Sequence, residues 1–295
     1  MAFQYAAPSD SVCLDVRGAD AAAFLHAQLC QGILGVEPIH APLAGWADAR
    51  GRARALLRIC RFPDRWLLVT PRDGADDLLK KLRMFVLRAK ATLELATDVG
   101  VAALLGDAGE WLAARGVTAD TPAGQLVRRG ELGFIRVGPS YWQVLGAPAA
   151  LASFAAGLTT ASAGDVALAE IRLGIPAITS AVADRFVAQM LNLDALGAVS
   201  FDKGCYPGQE IIARVHNLGG VKRRARRYAA PSAPPTVGAA VQAGGTAVGE
   251  IVRSAAAASG CELLAVVDHA AVGAPLTCDG AALRELELPF DLPTD

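Results

Sequence analysis

The six cysteines of this 295-residue chain, Cys13, Cys30, Cys60, Cys205, Cys261 and Cys278, include no CxxC pair. Zinc-ribbon and redox-pair spacings are therefore absent, and no metal site is expected. The chain has four histidines, and His216 has no partner at ligand spacing, so a metal or triad role is poorly supported. There is no GxGxxG and no GxxxxGK[ST] loop, which argues against dinucleotide and P-loop folds. Charged residues make up 19% of the chain against 53% hydrophobic. That balance excludes wholesale disorder and calls for large cores. The net charge of -1 excludes a protein whose main business is coating nucleic acid.

Long apolar runs are also missing. The longest uncharged stretch, Val137 to Gly164, is broken by Pro139 and Pro148 and carries Gln143, Ser153, Thr159 and Thr160. It reads as a strand and a short helix rather than a membrane span. The first residues, "MAFQYAAPSDSVCLDV", carry no basic start followed by an apolar run. A cytoplasmic protein with no membrane partner is expected. Cys13, Cys30, Cys60 and Cys261 sit in apolar patterns and read as small buried hydrophobes of a reducing compartment.

What is present is a chain long enough for more than one domain. "SVCLDVRG" alternates as a strand, and "ADAAAFLHAQLCQGI" has helical spacing. "GWADARGRARALLRICRF" reads as a turn into a strand, which would aim Arg50, Arg52 and Arg54 at one face. "RWLLVT" is a further strand. "DGADDLLKKLRMFVLRAK" is an amphipathic helix with Leu78, Leu79, Leu82, Phe85 and Val86 on its apolar side. "VGVAALLG" repeats the strand pattern, and "DAGEWLAARG" and "PAALASFAAG" the helical one. "LGFIRVG" and "SYWQVLG" read as paired strands. These units make an α+β fold, with helices on one face of a largely antiparallel sheet. "DVALAEIRLGIPA" is a short helix stopped at Gly174 and Pro176. Composition changes after Arg227, where "YAAPSAPPTVGAAV" marks a boundary. The segments "GEIVRSA", "CELLAVVD" and "LRELELPF" beyond it are short strands of a small barrel or sandwich. The expected domains are residues 1–227 and 228–295.

One stretch resists a packing explanation: "DKGCYPGQEIIARVHNLGGVKRRARR", residues 202 to 227. Pro207 fits the first turn of a helix, Glu210 suits its positive end, and Ile211, Ile212 and Val215 have helical spacing. Asn217 to Gly220 supply a stop. Cys205 then sits just outside a helix N-terminus, where exposed N–H groups and Lys203 favour a nucleophilic thiolate. A competing reading is a tight "YPGQ" turn leading into a strand "EIIARV". Gly204 and Gly208 suggest close backbone approach. An inert core thiol remains the plain alternative, and nothing in the spacing demands a Cys205–His216 dyad. Lys222, Arg223, Arg224, Arg226 and Arg227 read either as a solvated strand face or as an anion site for a polyglutamate tail, a phosphate or an RNA backbone.

"KGCYPGQE" resembles the K-G-C-Y-x-G-Q-E signature of the YgfZ family of folate-binding proteins, relatives of the glycine-cleavage T-protein. "DVRGADAAAFLHAQLCQGI", "GWADARGRARALLRI" and the block from "AEIRLGIPA" to "GGVKRR" resemble that family in order along the chain. Ala188 departs from it, since a proline is common before the Gln189 position. The resemblance implies a T-protein-like fold: two interleaved α+β sandwich lobes, then a C-terminal β-barrel, enclosing a funnel for tetrahydrofolate or a derivative. It implies support for assembly or repair of iron–sulfur enzymes, including one that modifies tRNA, with folate and those enzymes as partners. Cys205 and Lys203 are then the reactive residues, and Tyr206, Gln209, Glu210, Arg214 and Gln189 the cofactor-binding ones. The link to tRNA is indirect, so direct tRNA binding is not favoured. Two alternatives are a folate-dependent aminomethyl or methyl transferase of the T-protein type and a non-catalytic interaction module. The transferase reading is weakened because Arg52 to Ala55 and Arg172 stand where that enzyme has acids, and its proton transfer needs a carboxylate.

Overall fold

In a computed structural model of the chain, residues 3–7, 10–217 and 220–293 are described. The chain divides into two compact units: Met1–Ala44 with Leu57–Val166, and Gly45–Leu56 with Ala167–Asp295. The order of elements begins β1 (Phe3–Ala6), β2 (Ser11–Arg17), α1 (Ala21–Gln28), β3 (Leu43–Ala47), β4 (Ala53–Arg61), β5 (Trp66–Pro71) and α2 (Ala75–Arg83). It continues with β6 (Thr92–Leu95), β7 (Gly100–Gly106), α3 (Gly109–Ala113), β8 (Leu126–Arg129), β9 (Leu132–Gly138), β10 (Tyr141–Gly146) and α4 (Pro148–Ala155). Then come α5 (Ala163–Arg172), α6 (Gln209–Asn217), β11 (Arg223–Ala230), β12 (Ala240–Ala243), β13 (Thr246–Ala257), β14 (Gly260–Asp268), β15 (Leu276–Cys278) and β16 (Ala281–Leu286). No helix among the described residues is long and apolar enough to cross a membrane.

Two five-stranded sheets run in the orders β1-β7-β10-β9-β8 and β3-β4-β5-β2-β6. The "LGFIRVG" and "SYWQVLG" strands are β9 and β10, paired antiparallel with Gln143 opposite Ile135. Successive side chains point to opposite faces of a strand, and β10 is buried on both, whereas the edge strands β6 and β8 keep exposed positions. Cys13, Cys60 and Leu67 pack with Val101, Ile135 and Leu145 in one core. Phe3, Tyr5, Phe134 and Trp142 pack with Leu112 and Leu151 in another. Five of the cysteines are buried, as small apolar residues are in such cores, and Cys205 alone is exposed. Burial pushes the Cys60 thiol up to about 12.

The C-terminal strands close a barrel in the order β11-β14-β13-β12-β15-β16. Tyr228, Ile251, Leu263, Ala265 and Val267 fill it. Its first strand begins at Arg223, so the expected boundary at Arg227 falls inside β11. The proline-rich stretch follows that strand and connects it to β12, because proline cannot donate to the ladder.

Two expectations need correction. The helix α2 stops at Arg83, short of Phe85 and Val86. The N–H groups of Met84, Phe85 and Val86 donate to Lys81, Leu82 and Arg83 carbonyls three residues back. That tightening rotates later side chains off the apolar face. The Arg50, Arg52 and Arg54 strip forms only in part: Arg52 and Arg54 share one side, while Arg50 lies in the turn before β4, which begins at Ala53. Arg50 turns back to Asp48, while Arg52 and Arg54 reach Asp184.

Candidate functional site

Both readings of "YPGQEIIARV" hold in part. Gln209 N–H donates to the Tyr206 carbonyl, and Gly208 has φ +83°. This is the pattern of a type II turn, with Pro207 at its second position and glycine where φ must be positive. The helix α6 follows from Gln209, so Pro207 lies before it and not in its first turn. Ile212 is buried, while Ile211 and Val215 are half-buried. Of the expected Asn217–Gly220 stop, Leu218 and Gly219 lie outside the described residues.

The turn is held from beneath by a distant part of the chain. A Cβ on Gly208 would lie 2.3 Å from the Asp48 carbonyl oxygen and 2.8 Å from the Gly51 Cα. Gly51, at φ +73°, in turn meets Ile211 and Ile212. Only glycine permits so close an approach of two backbones. The Asp48 turn is itself built by its carboxylate, which accepts N–H bonds from Arg50 and Arg52 at 2.9 Å and the Arg50 Nε at 3.1 Å. Burial alone would raise the Asp48 carboxyl, but these donors outweigh it and hold it below its ordinary range.

A third segment closes the constellation. Residues 184 to 189 run beside Gly51 to Ala53, with Ala53 N–H on the Phe186 carbonyl and Ala188 N–H on the Gly51 carbonyl. Gln189 is almost fully buried, and its Nε2 donates to the Ile212 carbonyl at 2.6 Å. Its Oε1 is buried with no hydrogen-bond partner among the described residues. Arg224 donates to the Gln189 carbonyl at 3.0 Å and makes a two-pronged pair with Asp194 at 3.0 and 2.9 Å. Asn192, at φ 58°, ties this network to β11 through the Ala225 carbonyl.

Cys205 stands at the exposed side of this assembly, immediately before the buried Tyr206. The Lys203 ammonium lies 5.0 Å from the Tyr206 ring centroid. The Lys203 carbonyl accepts from Gln209 Nε2 at 3.5 Å. Lys203, Cys205, Tyr206 and Gln209 therefore share one loop, and Gln189 lies beneath α6. Glu210 and Arg214 are exposed on that helix. His216 stacks on Phe201, with ring centroids 3.8 Å apart. Among the described residues no three of His, Cys, Asp and Glu gather as a metal set would require.

Of the five cations of the basic run, the four arginines are neutralised within the protein, and Lys222 has no ion pair among the described residues. Arg223 faces Asp268, Arg224 pairs with Asp194, Arg226 with Glu285 and Arg227 with Glu262. Arg172 shares Glu262. Burial pushes the Glu262 carboxyl up, but the two guanidinium groups outweigh it and hold it low. Sequence reasoning missed Asp48, Asp184, Asn192 and Asp194. The Asp-x-x-Gly turn pattern could have exposed Asp48, since aspartate bonds to backbone N–H groups two residues on. The others have no local signal.

No family model matches the chain. The chain is similar to the tRNA-modifying protein YgfZ of Edwardsiella ictaluri, with 32% identity over 225 residues, covering 72% of this chain and 67% of that protein. It is 28% identical over 221 residues to the tRNA-modifying protein YgfZ of Colwellia psychrerythraea, covering 73% and 68%. Among solved structures it resembles the glycine cleavage system aminomethyltransferase T of Bartonella henselae, with a TM-score of 0.72. That match covers 99% of this chain and 87% of the other at 16% identity, and it establishes a T-protein-like fold. With the signature loop displayed on that fold, the chain belongs to the family of tRNA-modifying protein YgfZ.

Proposed function

We propose that this protein binds tetrahydrofolate or a derivative and supports assembly or repair of iron–sulfur enzymes, including one that modifies tRNA, with Cys205 as its reactive group. The observation that carries this reading is the contrast among the thiols. Five are buried in cores, and the sixth is held out on a turn braced by Gly208, Asp48 and Gln189. A thiol must be accessible to act as a nucleophile, and a braced loop keeps it in one place. Lys203 brings positive charge to the same loop, and Gln209 fixes that lysine's backbone.

The residues present fit a folate. Gln189 Oε1 is a buried acceptor that lacks a donor, which suits a ring N–H. Arg214 is an exposed cation that suits a glutamate carboxylate. Tyr206, Gln209 and Glu210 would complete the contacts. Tetrahydrofolate, when bound, supplies one-carbon chemistry. The aminomethyl transfer reading gains no support from the nearby carboxylates, because Asp48 and Asp184 are both engaged by arginines.

The test combines binding with rescue. Titration calorimetry with tetrahydrofolate should show binding that Gln189→Leu weakens. Alkylation by iodoacetamide should modify Cys205 alone in the native protein, at a rate that folate changes. In a bacterium lacking its own family member, this chain should restore tRNA methylthiolation, while Cys205→Ser and Lys203→Ala should not. Full rescue by Cys205→Ser would remove the thiol chemistry and leave an interaction module. Absence of folate binding would remove the cofactor.

A further inference from the structure

The end of α2 exposes what a helix of this pattern should hide. Past Arg83 the chain tightens into successive turns, and Met84 and Leu87 turn outward while Val86 is half-buried. Met84 is 63% exposed, Phe85 40% and Leu87 85%. A lone exposed leucine is ordinary, but three large apolar side chains within four residues form a patch. Cations surround it. Lys80 and Arg83 precede the tip, and Arg88 and Lys90 follow it, all exposed. Lys81 pairs with Asp77 at 2.7 Å, whereas Lys80, Arg83, Arg88 and Lys90 make no ion pair among the described residues; Arg83 Nε donates to the Leu93 carbonyl at 2.8 Å, which leaves its outer nitrogens facing out.

The helix dipole accounts for cations in the last turn of α2. It does not account for Arg88 and Lys90 beyond the turn, nor for the apolar tip. An apolar centre with a charged rim is the anatomy of a protein interface, and methionine serves surfaces that must adapt to a partner. A single-stranded nucleic acid would want successive aromatic faces for stacking, and the patch offers one, Phe85, beside the aliphatic Met84 and Leu87.

We propose that residues 80–90 form a docking surface for an acidic amphipathic segment of a partner protein. The partner's apolar side chains pack on Met84 and Leu87, and its carboxylates face Lys80, Arg83, Arg88 and Lys90. This proposal stands apart from the folate and thiol reading.

The test uses the full chain and three probes. They are a fluorescent amphipathic helical peptide with a leucine face and glutamate flanks, the same peptide with lysine for glutamate, and phosphatidylglycerol vesicles. Fluorescence anisotropy should show that the acidic peptide binds, that added salt weakens it, and that the lysine peptide does not bind. Leu87→Ser with Met84→Ser should weaken binding about tenfold or more, as loss of an apolar anchor does. Lys80→Glu with Arg88→Glu should weaken it as well. Thermal unfolding checks that the variants fold, which the exposure of all four positions favours. Binding that both pairs of substitutions leave unchanged, or no binding of the acidic peptide, overturns the proposal. Vesicle binding that the same substitutions abolish also overturns it and makes the tip a membrane contact.

Discussion

Two stretches of this chain are equally rich in cations, and they end in opposite conditions. Along β11, Arg223, Arg224, Arg226 and Arg227 each meet a carboxylate. Around the end of α2, Lys80, Arg83, Arg88 and Lys90 meet none among the described residues. The difference teaches that a basic run in a sequence states a supply of charge and not its use. In β11 that supply stabilises the protein's own assembly: Arg224, with its side chain 3% exposed, locks Asp194, Gln189 and the ground beneath the signature loop. At α2 only Lys81 has an acid, Asp77, and Arg83 bonds a backbone carbonyl, so most of that charge stays unneutralised among the described residues.

The comparison breaks most visibly at Arg224. Arg224→Ala strands a buried Asp194 and should lower stability by about 3–5 kcal/mol, read from urea unfolding. Replacing Arg224 and Asp194 together by Met and Leu should cost far less, because no buried charge remains unpaired. Gly208→Ala should come next, with a loss of about 2–3 kcal/mol from positive φ and overpacking against Asp48. The same substitution should slow Cys205 alkylation if the turn displays the thiol.

Acid should act through the carboxylates that arginine holds. The Asp48 and Glu262 carboxyls are both lowered on folding. Their contribution is therefore complete above the unfolded carboxylate range and is lost as pH falls through the folded values. Stability should decline below about pH 4, near the unfolded carboxylate values, and Asp48→Asn or Glu262→Gln should flatten that decline in a series of thermal melts. At the smallest end, Arg226→Ala removes a half-exposed pair and should change stability by about 0–1 kcal/mol. Arg88→Ser should leave the unfolding midpoint where it is. A large loss at Arg88 would mean that the α2 cations are structural after all, and the contrast with β11 would fail.

Much of the fold is legible in the sequence. The alternation in "LGFIRVG" and "SYWQVLG" specifies β9 and β10, and the apolar spacing of Ile211, Ile212 and Val215 favours α6, because both periods are properties of neighbouring residues. The turn at Pro207–Gly208 is legible for the same reason. The α2 terminus is not: "RMFVLRAK" continues a helical apolar pattern, and only the tightened carbonyl bonds at Lys81 and Leu82 end it. Nor is the β11 boundary, since prolines signal a break in a ladder without saying whether a domain or a single strand ends there.

For the candidate site, the sequence by itself determined the loop chemistry: a lysine, a cysteine and a tyrosine beside a turn that leads into a helix. The tertiary structure decided the rest. It brought the Asp48 turn against Gly208, seated Gln189 under Ile212 with one acceptor unanswered, and gave every arginine of β11 an acid. The physical reason lies in range. Periodicity and turn geometry arise from adjacent residues, whereas close backbone contact and ion pairing depend on segments that meet only when the chain has folded.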